Sequence, residues 1–93
     1  ERFLQVVMAL RVADAKTGDS LKGFMPEIRH RINLLLSSKL PSELSTLEGR
    51  EALADQIVDA VNQVLGIPAG QRNPDGTPAG PIRAVLFNSF IIQ

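Results

Sequence analysis

The stretch LLLSSKLPSELSTLEGREAL, residues 34–53, predicts a corner between two helices. Its leucine run ends at Ser37, Ser38 and Lys39, a group that could be interpreted as a serine nucleophile with a lysine base. Neighbouring side chains at one helix end do not converge as a nucleophile and its base must. We therefore predict that the two hydroxyls and the cation satisfy the last carbonyl groups of a helix that ends near residues 38–39.

The second half of this stretch predicts the start of another helix. Ser45 and Glu48 fit the capping-box pattern, and Thr46 is an alternative cap one residue later. Apolar residues then recur at helical spacing, which predicts a helix over about residues 47–65. Gly66 stands where a left-handed C-terminal cap is expected.

The segment before the corner predicts an amphipathic helix that contains a proline. Pro26 lies inside its apolar stripe, so we expect either a kink or two abutting helices. Residues 14–20 are interpreted as a loose connection ahead of this helix. The stripe follows i, i+3, i+4, i+7 spacing through Leu21, Phe24, Met25, Ile28, Ile32, Leu35 and Leu36.

Both ends of the chain predict long strands. Residues 2–13 alternate, and Val7 and Ala9 leave the second face only half polar, so this strand is expected to be central in the sheet or to meet another surface. If Phe3, Val7 and Ala9 are not covered within the chain, that face must meet a partner or solvent. Residues 82–93 are rich in β-branched and aromatic side chains. Because their alternation is imperfect, we predict a bulge near Asn88 and Ser89 that turns two aromatics, Phe87 and Phe90, inward.

Together these elements predict one α+β domain over residues 1–93, in two layers. A small sheet is built from the long N- and C-terminal strands, and two to three helices lie on one of its faces. Residues 67–81 hold four prolines and three glycines, which predicts a surface loop within the domain. Leu40 and Leu44 are predicted to anchor the connector between the helices.

Composition narrows the possible functions. Ten basic and ten acidic residues cancel, so the positive field typical of a nucleic-acid binder is missing. There is no cysteine and one histidine, His30, so we expect neither a metal nor a cofactor. No run approaches the ~18–20 apolar residues of a membrane span. The abrupt start at Glu1, directly before a strand, leads us to expect a fragment of a longer protein.

Charge is unevenly distributed along the neutral chain. One helix carries an acidic stripe, whereas residues 11–39 are mainly basic. Three interpretations stay open: attraction between the helices, a head-to-tail contact between copies, and an ordinary solvated face. The candidate oligomer or partner interface comprises Arg29, Arg31, Glu48, Glu51, Asp55 and Asp59.

Three blocks in this order carry a family resemblance: FMPEIRHRINLLLSSK, LSTLEGREAL and FNSFIIQ. The chain resembles the C-terminal domain of the flagellar basal-body-associated FliL family. This resemblance implies a stomatin/prohibitin-like (SPFH) fold and a non-enzymatic accessory protein of the flagellar motor. It also implies a single-pass inner-membrane protein, anchored by a helix upstream of residue 1, with this domain in the periplasm.

The partners follow from the same resemblance. It implies a homo-oligomeric ring around the periplasmic linker of the stator B subunit, which supports stator assembly, activation and motility. The loop at residues 67–81 is longer than the family pattern. Two alternatives stay open: a stomatin-type scaffold that organises a different membrane complex, and a small-ligand-binding module or hydrolase that uses the sheet face and this loop.

Overall fold

The computed structural model describes residues 4–68, 70–76 and 79–92, and it confirms the two-layer α+β prediction. Two antiparallel strands form the sheet and helices lie on one side of it. In chain order the elements are β1 (Leu4–Val12), α1 (Ala15–Ser37), α2 (Pro41–Leu44), α3 (Leu47–Val64) and β2 (Ile82–Ile92).

The predicted bulge in β2 is confirmed at Asn88. Val7 pairs with Ser89 and Met8 pairs with Phe87, so Asn88 has no partner in the register. A bulge breaks the two-residue alternation, which is why Phe87 and Phe90 both reach the helical side. Their rings pack edge to face, and the ring centroids are 5.3 Å apart. The Phe3 prediction lies outside the described residues.

Helix α1 begins earlier than the sequence predicted. Residues 15–20 are helical and not a loose connection, because Asp14 caps the helix by accepting from the Thr17 backbone N–H at 2.8 Å. The hydrogen bonds from Thr17, first from its backbone and then from its hydroxyl, lower the pKa of Asp14. Pro26 lies inside one helix, so the alternative of two abutting helices is wrong.

The corner between the helices is built from short hydrogen bonds. Ser37 Oγ donates to the Asn33 carbonyl at 2.8 Å and Ser38 Oγ donates to the Leu35 carbonyl at 2.7 Å, which confirms their predicted role. The contact of Lys39 differs from the prediction, because its backbone N–H, and not its cation, donates to the Leu36 carbonyl.

The connector itself contains the short helix α2. Of its two predicted anchors, Leu44 is buried, whereas Leu40 is 61% exposed. The next helix, α3, is capped by Thr46, whose hydroxyl accepts from the Gly49 N–H at 3.0 Å, so Ser45 is not the cap. Gly66 follows α3 with φ +93°, as predicted.

The core is centred on α3. Leu53, Ile57 and Val61 are fully buried with Ile82 at the start of β2. Ile28 of α1 is buried in the same cluster. Burial of side chains this large contributes about 1.5–3 kcal/mol each. Phe24, predicted to belong to the core, is instead 41% exposed.

One buried polar side chain fixes the start of β2. Asn62 is 3% exposed, its Oδ1 accepts from the Ile82 N–H at 2.9 Å, and its Nδ2 donates to the Ile82 carbonyl at 3.3 Å. The side-chain amide therefore replaces a neighbouring strand at this residue, and it ties α3 to the sheet.

Within the described ranges, none of the helices combines the length and apolar character needed to cross a bilayer.

Candidate interaction site

Three carboxylates of α3 form an exposed acidic face, which we define as Glu48, Glu51 and Asp55. Their spacing of three and four residues stacks them on one side of the helix, away from buried Leu53 and Ile57. Neither Glu48 nor Glu51 forms an ion pair with another described residue. Like charges at this spacing repel weakly, so the acidic face favours a cationic neighbour.

The fourth predicted carboxylate, Asp59, is already paired within the chain. Arg72 donates to both of its oxygens, from Nη1 at 3.0 Å and from Nη2 at 3.4 Å. These hydrogen bonds, followed by the charge of Asp59, raise the pKa of the Arg72 guanidinium. This ion pair connects the Pro/Gly-rich loop to α3. Because Asp59 is already paired, it is less available to a partner protein than the carboxylates of the acidic face.

The two predicted arginines lie on different flanks of α1. Arg31 lines a groove of about 380 Å³ between α1 and α3, where its Nη1 donates to Gln63 Oε1 at 3.4 Å. Asp59 lines the same groove, although no ion pair joins the two charges. Arg29 instead lines a groove between α1 and β1. The six predicted interface residues therefore form several surfaces and not one.

The sheet face turned away from the helices is apolar and open. Val7 and Leu86 are each 46% exposed and Ile91 is 40% exposed. Ala9 lies on the same face and pairs with Leu86. Among the residues that the structure describes, no element covers this face, in agreement with the expectation for Val7 and Ala9. Gln5 pairs with Ile91 and Ser89 pairs with Val7 on the same face, so its apolar part is centred on Val7, Ala9 and Leu86. Exposed apolar side chains grouped in this way suit an interaction surface.

The two serines considered for catalysis have structural roles, and neither His30 nor the turn at residues 73–76 lies in a catalytic or metal-binding cluster of described residues. Ser37 and Ser38 donate to backbone carbonyls, and His30 is exposed on α1. Residues 73–76 form a turn in which the Gly76 N–H donates to the Asn73 carbonyl. In the part of the chain that the structure describes, no cluster of three acidic or histidine side chains could hold a metal ion.

Sequence reasoning missed one cationic contact beside the sheet. The Arg50 guanidinium lies 4.5 Å from the centre of the Phe90 ring, and its Nε donates to the Leu44 carbonyl at 2.8 Å. The arginine therefore joins α2, α3 and β2. No local pattern predicts this contact, because Arg50 and Phe90 are forty positions apart and meet only after the strand bulges.

Comparison with known proteins finds a family model and curated relatives that match all or nearly all of the chain. The family model described as "Flagellar basal body-associated protein FliL" matches residues 1–93. "Flagellar protein FliL" of Escherichia coli (strain K12) is 32% identical over 93 residues, which are 100% of this chain and 55% of that protein. "Flagellar protein FliL" of Aquifex aeolicus (strain VF5) is 29% identical over 91 residues, 98% of this chain and 49% of that protein. The chain spans about half the length of these curated relatives.

Proposed function

The chain belongs to the FliL family of flagellar basal-body-associated proteins, and on this premise we propose that it is a non-enzymatic scaffold of the flagellar motor. The family match along residues 1–93 is the observation that carries the proposal. The exposed acidic face and the open apolar sheet face support it, since both suit protein contacts better than small-molecule chemistry.

We propose further that copies of this domain assemble into a ring around the periplasmic linker of the stator B subunit. In this role the ring supports stator assembly, activation and motility. A helix in the remainder of the protein anchors it in the inner membrane, and the domain has the stomatin/prohibitin-like fold. These points rest on the family resemblance.

The charge distribution suggests how copies meet. The acidic face of one copy approaches one basic flank of α1 in the next, either the flank that carries Arg29 or the flank that carries Arg31. Such a contact is heterologous, and heterologous contacts close into rings when the rotation between copies permits. Complementary charge also speeds encounter and fixes the orientation of the partners.

Crosslinking in membranes tests the choice of partner. A photo-crosslinking residue placed at one position of this domain reports on the neighbours of that position. In cells that swim, the membrane-anchored protein is expected to capture a second copy and the stator B subunit. Abundant capture of another membrane complex, with no stator B subunit, would contradict the flagellar role and favour a general membrane organiser.

Charge reversal tests the contact between copies. The double variant Glu51→Lys and Asp55→Lys is expected to reduce crosslinking between copies and swimming, whereas its melting temperature changes little. The reason is that two lysines keep the like-charge spacing of the helix while they reverse its attraction for a basic neighbour. Swimming in soft agar and melting of the purified domain give the two measurements.

The matched control is Asp19→Lys with Glu27→Lys, which changes the net charge equally on exposed positions of α1. It is expected to retain more swimming and crosslinking than the α3 variant. Equal loss in both variants would assign the effect to net charge, and normal assembly of the α3 variant would refute the head-to-tail contact.

A further inference from the structure

One cation of the chain is bound at the C-terminal end of the acidic face. Arg72 of the Pro/Gly-rich loop donates to both carboxylate oxygens of Asp59, at 3.0 and 3.4 Å. These hydrogen bonds chiefly raise the pKa of Arg72, and the charge of Asp55 contributes to the same shift. The guanidinium therefore lies in the field of two carboxylates of α3, and Asp55 is a member of the acidic face.

Asp59 continues the row of carboxylates that forms the acidic face. It follows Asp55 by four residues, as Asp55 follows Glu51, so the three positions lie nearly one above the other on α3. At a rise of about 1.5 Å per residue, the row from Glu48 to Asp59 is about 16 Å long. Arg72 covers one end of this row and neutralises part of its charge.

The Pro/Gly-rich loop is attached at both ends by backbone hydrogen bonds that do not involve the Arg72 side chain. The Ile67 N–H donates to the Asn62 carbonyl at 2.8 Å, and the Ala13 N–H donates to the Pro81 carbonyl at 2.9 Å. Both contacts can persist when Arg72 leaves its carboxylate. Release of the carboxylate therefore needs only the rotation of one long side chain, without refolding of the loop.

The ion pair is only partly buried. The Arg72 and Asp59 side chains keep 34% and 26% of their surface exposed. Water and dissolved salt screen a pair of this kind, so its net contribution to stability is small. Arg31 lines the same groove as Asp59 but donates to Gln63 instead. A cationic side chain of a partner protein can therefore replace Arg72 with little loss of stability.

We propose that Arg72 is an internal competitor for the basic surface that the acidic face contacts. While Arg72 is bound to Asp59, three carboxylates face a partner. When a cationic side chain of the partner replaces Arg72, Asp59 completes a row of four. The Pro/Gly-rich loop thereby lowers the affinity of the acidic face for basic surfaces. This proposal rests on the contact with a basic neighbour proposed above.

Titration of the 93-residue chain with a cationic peptide, followed by NMR at low salt, tests the competition. The probe is a twelve-residue alanine-based peptide with three arginines spaced four residues apart. Arg72→Gln is expected to tighten its binding about threefold, because the bound internal guanidinium reduces the fraction of competent molecules. In the unsubstituted chain, the peptide is expected to shift the Arg72 Nε–H resonance toward its position in Asp59→Asn.

Lys22→Gln provides the matched control. It removes the same charge and breaks the exposed ion pair between Lys22 and Asp19 on α1, and it is expected to change the peptide affinity less than about 1.5-fold. In the Asp59→Asn background, Arg72→Gln is expected to lose most of its effect. Equal effects of Arg72→Gln and Lys22→Gln would overturn the proposal. So would an Arg72 resonance that stays in place, or an absence of peptide binding.

Crosslinking in membranes separates this proposal from the function on which it rests. Tighter peptide binding by Arg72→Gln, without crosslinking of copies through the acidic face, would support the competition and refute the head-to-tail contact. Crosslinking of copies through the acidic face, with an unchanged peptide affinity in Arg72→Gln, would support the contact and overturn the competition.

Discussion

Asn62→Leu is expected to lower the free energy of unfolding by about 2–4 kcal/mol, although leucine has nearly the same size. In the unsubstituted protein, the Asn62 side-chain amide satisfies both the N–H and the carbonyl of Ile82. The substitution leaves these two groups buried without partners. A domain of this size is stabilised by about 5–14 kcal/mol in total, so the loss is a large fraction. Urea denaturation measures it, with the midpoint shifting at an unchanged slope.

The variant Asn62→Asp separates hydrogen bonding from shape. A buried carboxylate keeps the acceptor for the Ile82 N–H, but it repels the Ile82 carbonyl, so the variant is expected to be strongly destabilised at neutral pH. Burial raises the pKa of this aspartate above about 3.9, its value in the unfolded chain. The native state then binds more protons than the unfolded state. The free energy of unfolding that the variant loses relative to the unsubstituted protein therefore becomes smaller as the pH falls from neutral toward about 3.9.

Exposed Asn33 provides the matched control on α1. Asn33→Leu and Asn33→Asp are expected to change the free energy of unfolding by less than about 0.5 kcal/mol. A similar small effect at Asn62 would show that the amide does not hold the start of β2, and so would a deficit in Asn62→Asp that does not depend on pH.

Gly49→Ala and Gly23→Ala are expected to have opposite effects, although both replace a glycine in a helix. A Cβ at Gly49 would collide with the backbone carbonyl of Glu43 and lie 3.0 Å from the Thr46 hydroxyl. Overpacking against backbone costs about 1–3 kcal/mol, and loss of the Thr46 cap adds about 1 kcal/mol. A Cβ at Gly23 meets no atom within 4 Å, so alanine there stabilises by about 0.5–1 kcal/mol.

Denaturation of the two variants in parallel gives the measurement. A stable Gly49→Ala protein would mean that α2 does not lie against the first turn of α3. The position of α2 matters for the corner between the helices, because Leu44 of α2 is buried and its carbonyl accepts a hydrogen bond from Arg50. Movement of α2 would therefore disturb the Arg50 contact with Phe90 as well.

Much of the fold could be predicted from local patterns. Apolar spacing predicted α1, α3 and both strands, because these elements each bury one face and the pattern repeats with the geometry of the element. The bulge at Asn88 could be predicted as well, since two aromatics were out of phase. The start of α1 was missed because Asp14 was interpreted as part of a connection and not as a cap.

The candidate site was less predictable. Sequence spacing placed Glu48, Glu51 and Asp55 on one exposed face of α3, but it also included Asp59, which Arg72 of the loop after α3 engages. The pattern on α1 could not distinguish the flanks of Arg29 and Arg31, because a two-residue step on a helix is about 200° and the neighbours of each flank are set by packing.

The sequence by itself determined the two long helices, both strands, the helix corner and the family, because caps, apolar periods and motifs are local. Only the tertiary structure decided that Asn62 would hold β2, that Arg50 would meet Phe90, and that Arg29 and Arg31 would line different grooves. These features depend on residues far apart in the chain. They form only when the helices pack on the sheet, and no local pattern contains that packing.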